Sequence, residues 1–87
     1  MSENTRERDY PLPFLGLIDR QSLSIALAPR LRDQYGIEEF EIAKWNLDFE
    51  GRYRNILRPQ DIRRGVRIVI VVIRYPDLSP QNHPALP

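Results

Sequence analysis

Ser22-Leu23-Ser24-Ile25-Ala26-Leu27-Ala28-Pro29 (SLSIALAP) admits two readings, and the fold turns on which is taken. Leu23, Ile25 and Leu27 alternate with small or polar residues, the period-two pattern of a half-buried strand. The same residues could open one helix running from Leu23 to Tyr35, but Pro29 would then fall inside it. A proline there removes a backbone donor and crowds the preceding turn, at about 3 kcal/mol. The strand reading avoids that penalty. It makes Pro29 the first turn of a short helix over Arg30–Tyr35 (RLRDQY), closed by Gly36 as a C-cap.

Working outward, Phe14-Leu15-Gly16-Leu17-Ile18 is a short apolar run ended by a turn at Asp19-Arg20-Gln21, which pairs with Leu23–Leu27 as an antiparallel hairpin. Glu38–Phe49 (EEFEIAKWNLDF) reads as the next strand. Its apolar phase switches from even positions (Phe40, Ile42) to odd ones (Ala43, Trp45, Leu47, Phe49), which predicts a bulge or two short strands. Arg52–Leu57 is expected as a fourth short strand, and Pro59–Ile62 as a tight turn. Gly65–Tyr75 (GVRIVIVVIRY) is the most apolar stretch. Val66, Ile68, Ile70 and Val72 share one face; Arg67, Val69, Val71 and Ile73 share the other.

The order Leu57, then Ile62, then Gly65, then an alternating strand resembles the closing segment of ubiquitin-like β-grasp domains. That resemblance implies an α+β fold with a mixed four- to five-stranded sheet and one helix, which the residues here make shorter than the family's usual one. It places the last strand in mid-sheet, parallel to the first, and has Leu57 and Ile62 pin a small turn beneath it. The chain ends ALP, without the diglycine of conjugated modifiers, so the resemblance implies a docking domain and not a tag.

The chain has 87 residues, sufficient for one small domain with a modest core. Residues 1–9 and the proline-rich 76–87 read as tails, leaving 10–75 as the domain. Cysteine is absent, which excludes disulfides, thiolate nucleophiles and Cys-based metal sites. The apolar run Ile68–Ile73 is far short of the roughly 20 residues a membrane span needs. The charged N-terminus does not resemble a secretory signal, and a cytoplasmic protein without membrane contact is expected.

Catalytic chemistry finds little to stand on. His83, the single histidine, lies in the proline-rich tail, and Ser22 and Ser24 have no histidine near them in sequence. Glu38, Glu39 and Glu41 straddle both faces of their strand, as a solvated edge would. No phosphate loop is present. A non-catalytic protein with no metal and no cofactor is the expectation.

Two binding surfaces remain. If Val66, Ile68, Ile70 and Val72 meet the helix, then Arg67, Val69, Val71 and Ile73 form an uncovered apolar face, with Trp45 as a possible anchor. Such a face marks contact with another protein or a second copy of the chain. The alternative is a small RNA- or DNA-binding domain that uses Arg52, Arg54, Arg58, Arg63 and Arg64, interleaved with Tyr53. With thirteen basic residues against twelve acidic ones, no global field favours nucleic acid, and the interaction module is the preferred expectation.

Overall fold

A computed structural model describes residues 5–77, which fold as a small α+β domain: a three-stranded antiparallel sheet with two helices. Strand β1 spans Thr5–Phe14, helix α1 Arg20–Tyr35, β2 Glu41–Leu47, helix α2 Pro59–Arg64 and β3 Arg67–Pro76; a 3-10 turn occupies Arg54–Ile56. The sheet order is β1-β3-β2, and β3 runs antiparallel to both neighbours. The last strand is therefore central, as expected. Among the described residues β3 pairs with the first strand antiparallel and not parallel, and the sheet has three strands where the resemblance implied four to five.

SLSIALAP is helix. Asp19 caps α1 by accepting a hydrogen bond from the Ser22 N–H at 2.8 Å, and Gly36 ends it in the left-handed conformation at φ 71°. Leu23, Leu27 and Leu31, spaced four apart, form one stripe and are completely buried. Each fully buried leucine contributes roughly 1.5–3 kcal/mol, so the stripe outweighs the proline. Pro29 also sits where it does least harm. It frees the carbonyl of Ile25, and both residues lie on the exposed side of the helix, where water reaches that oxygen.

β1 begins at Thr5, so Thr5–Asp9 belongs to the sheet and not to a tail. Phe14 is its last residue, which leaves Leu15–Ile18 as a loop and not a strand. Tyr10 and Leu12 face the helix. Pro11 and Pro13 alternate with them on an edge strand, where a missing N–H needs no ladder partner. Those two prolines also remove the donors that a further strand would pair with, which blunts the edge. Of the outer calls, Met1–Asn4 and Leu78–Pro87 lie outside the described residues, and with them His83.

The switch of phase in β2 is a bulge. Ile42 pairs with Ile73 and Lys44 with Val72, so Ala43 is the extra residue, and Trp45 and Leu47 then return to the helix side. Arg52–Leu57 forms the 3-10 turn in place of a fourth strand, and Pro59–Ile62 opens α2 in place of a tight turn.

The two faces of β3 are exchanged relative to the sequence reading. Val69, Val71 and Ile73 are fully buried beneath α1, in one cluster with Tyr10, Leu12, Leu23, Leu27, Leu31, Ile37 and Ile42. Ile68, Ile70 and Val72 alternate with them and belong to the opposite side, where Ile68 is buried near the α2 end and Ile70 and Val72 are half-buried.

Candidate docking surface at the open end of the sheet

β1 and β2 both stop where β3 starts, so three segments converge at that end of the sheet: the 15–19 loop, the 48–58 segment and α2 with Gly65-Val66. Asp48 organises the middle one. Its carboxylate accepts the backbone N–H of Tyr53 at 2.9 Å and of Arg52 at 3.0 Å, and its carbonyl accepts that of Gly51 at 3.2 Å. The Tyr53 hydrogen bond, helped by those of Arg52 and Gly51 and by the Arg52 charge, holds the Asp48 carboxyl below the usual carboxylate range. Asp61 ties α2 down in a similar way by accepting the Arg58 N–H at 3.1 Å. Gly65 closes α2 at φ 91° and brings the chain beside Leu15.

The 48–58 segment and α2 with Gly65-Val66, together with the ends of β2 and β3, enclose an open cavity of about 510 Å³, with Leu47, Leu57, Ile62, Val66 and Ile68 on its walls, Phe49 at its lip, and Arg54 and Arg67 at the rim. Phe49 is 80% exposed and also borders a second, smaller depression that Ile70 and Val72 line. One apolar surface therefore runs from the middle of β3, past Phe49, into the cavity. Leu15, Leu17, Phe49, Ile56 and Ile62, five of the seven large hydrophobic side chains exposed among the described residues, lie at this end. Scattered apolar residues are ordinary on a protein surface, whereas a cluster around a concavity marks a contact site.

The arginines at this end are largely unneutralised. Arg52 lies over the ring of Tyr53 at 5.5 Å, and Arg64 comes within 4.0 Å of Asp61. Arg54, Arg58, Arg63 and Arg67 have no carboxylate within 4.0 Å among the described residues.

The structure thus brings together Arg52, Arg54, Arg58, Arg63, Arg64 and Arg67, but not the rest of the expected protein-binding set. Val69, Val71 and Ile73 are core residues and unavailable to any partner. Trp45 is half-buried against the core from β2, with the Arg20 guanidinium 5.3 Å from its ring, and it also lines the depression that Phe49, Ile70 and Val72 border. Sequence reasoning missed Phe49, Leu57, Ile62 and Val66 as a unit. Their signal was the density of apolar residues between arginines in a segment with little regular structure. As for chemistry, Ser22 lies in the first turn of α1 beside its cap and Ser24 farther along the same helix; among the described residues no group of three His, Cys, Asp or Glu could hold a metal ion. No helix among them is long and apolar enough to cross a membrane. No family model matches the chain, and none of the curated proteins or solved structures matches it significantly.

Proposed function

We propose that this chain is a non-catalytic protein-interaction module whose docking surface is the open end of the sheet together with the adjoining half-buried Ile70 and Val72. A single observation carries the reading: exposed Phe49 and Ile62 border one apolar cavity with Arg54 and Arg67 at its rim, at the end of the sheet where Leu15, Leu17 and Ile56 are also exposed. Domain-sized proteins use such concavities as anchoring pockets for one or two large side chains of a partner, with polar groups at the rim fixing orientation. The surrounding architecture suits that use. The cavity is built from side chains on short capped segments, held by Asp48 and Asp61, on a sheet whose opposite face is already filled by α1.

The test uses bis-ANS, an apolar dye carrying sulfonates, as a mimic of an anionic apolar ligand. The expected result is fluorescence enhancement on the full chain that Phe49→Ser and Ile62→Ser each reduce severalfold. Ile25→Ser removes an isoleucine more exposed than Ile62 from the outer side of α1 and should leave the signal unchanged. Enhancement equal in all four proteins would overturn the reading.

A further inference from the structure

The docking surface has a sign as well as a shape, and the sign identifies the class of occupant. Between Asp48 and Arg67 the chain carries six arginines and three acidic residues, Asp48, Glu50 and Asp61. Two of the three acids are engaged with backbone N–H groups of their own segment. Arg54 and Arg67 are exposed, stand at the cavity rim and have no carboxylate partner among the described residues. Guanidinium groups beside an apolar cavity pair with carboxylates in bidentate, directional fashion while the cavity takes an aliphatic or aromatic side chain. Resting on the reading of this end as a docking surface, we infer that it receives an acidic, amphipathic segment of another protein. Leu- or Phe-class side chains enter beside Phe49 and Ile62, and Asp or Glu residues of the same segment meet Arg54 and Arg67, with Arg58 and Arg63 extending the field.

Other occupants fit less well. Single-stranded nucleic acid is held by stacking bases on aromatic faces. Here the cavity walls are aliphatic, Phe49 is its one aromatic residue, and a face of Tyr53 is taken by Arg52. A second copy would have to offer acidic and exposed apolar groups together. The acidic stretch of this chain, Glu38, Glu39 and Glu41, lies at the opposite end, where Glu41 is bonded to Arg74 and Tyr35 is the one large exposed apolar side chain among the described residues.

The experiment is selection of a phage-displayed random 12-residue library on the full chain. Fluorescence anisotropy then measures the enriched peptides, with a 20-nucleotide thymidine oligomer and a DNA duplex as further probes. Circular dichroism confirms that each variant is folded. The expected peptides are enriched in Asp and Glu together with Leu, Phe, Trp or Met and depleted of Lys and Arg. Their affinity should fall at least tenfold with Arg54→Glu plus Arg67→Glu and with Ile62→Asp, fall with Phe49→Ser, and weaken as NaCl rises from 50 to 500 mM. Peptides without acidic bias that are still lost with Ile62→Asp would overturn the acidic class while leaving the docking surface standing. Peptides indifferent to Phe49→Ser and Ile62→Asp, or no enrichment at all, would overturn both. Tighter binding of either oligonucleotide than of any selected peptide would replace the inference with a nucleic-acid ligand. A solution mass that rises with concentration and is reset by Ile62→Asp would replace it with a second copy of the chain.

Discussion

Both ends of the sheet are rich in arginine, yet the two ends use it in opposite ways. At the end where β3 finishes, Arg74 reaches across all three strands, its guanidinium 2.9 Å from Glu7 on β1 and 3.2 Å from Glu41 on β2. These partners hold its pKa above the ordinary arginine value, the Glu7 hydrogen bond most of all. Arg8 lies 4.1 Å from the centre of the Tyr35 ring, Tyr35 meets Tyr10 edge-on at 6.3 Å, and the Tyr10 hydroxyl donates to Gln34 at 3.0 Å. Arg6 pairs with Asp77 at 3.1 Å. Charge and aromatic surface there are matched to partners within the chain. At the other end Arg54, Arg58, Arg63 and Arg67 lack carboxylate partners among the described residues, and the apolar side chains beside them are exposed. The contrast teaches that composition does not distinguish a structural end from a binding end. What distinguishes them is whether the groups find complements inside the molecule.

The largest effects that sharpen this contrast concern packing. Leu27→Ala, in the centre of the helix stripe, should lower unfolding free energy by about 2–5 kcal/mol in urea denaturation. Ile62→Ser, at the open end, should change it by less than about 0.5 kcal/mol. Equal losses would make the cavity wall part of the core and dissolve the distinction. Next comes charge. Arg74→Met should lower the thermal midpoint by a few degrees at low salt, whereas Arg67→Met should leave it unchanged, and added NaCl should shrink the difference. A matching loss from Arg67→Met would mean that the open end is internally satisfied after all.

The smallest expected effect is in acid. The folded-state pKa of Asp48 lies below that of an unfolded aspartate, near 3.9. Its contribution is therefore complete above that value and is lost as pH falls through the lower, folded value. Wild type should be more stable than Asp48→Asn at neutral pH, and the two should converge in strong acid. Amide exchange at Arg52 and Tyr53 should quicken in the variant, because their N–H groups donate to that carboxylate. Unchanged exchange would show that the 48–53 segment is held by something else.

Much of this arrangement could be read from local pattern. The bulge in β2, the cap at Gly36 and the central position of the last strand follow from phase, glycine chemistry and apolar density. Two errors had one root, the degeneracy of short apolar runs. In SLSIALAP the spacing of Leu23 and Leu27 fits a strand and a helix alike, and only Leu31, beyond the proline, extends the four-residue stripe that decides for helix. In β3 each face carries one arginine near an end, Arg67 on one and Arg74 on the other, so charge could not say which face meets the helix. That choice depends on register with β1, where Tyr10 and Leu12 meet Val71 and Val69. β1 was hidden by its own edge chemistry, since Arg6, Glu7, Arg8 and Asp9 look like tail residues and Pro11 and Pro13 argue against a strand. The arginines of the candidate site were visible in sequence. The cavity between them was not, because the turns of the 48–66 segment set it and no periodicity foretold them.

The most direct measurement of the central claim is a ¹H–¹⁵N correlation spectrum of the full chain, titrated with isopropanol and then phenol as small apolar probes. If the open end is the docking surface, saturable shifts will concentrate on the amides of Phe49, Leu57, Ile62, Val66 and Ile68, with little response at Ile25 or Tyr35. Shifts centred on α1 or on the Arg74 end, or a uniform response along the chain, would contradict it.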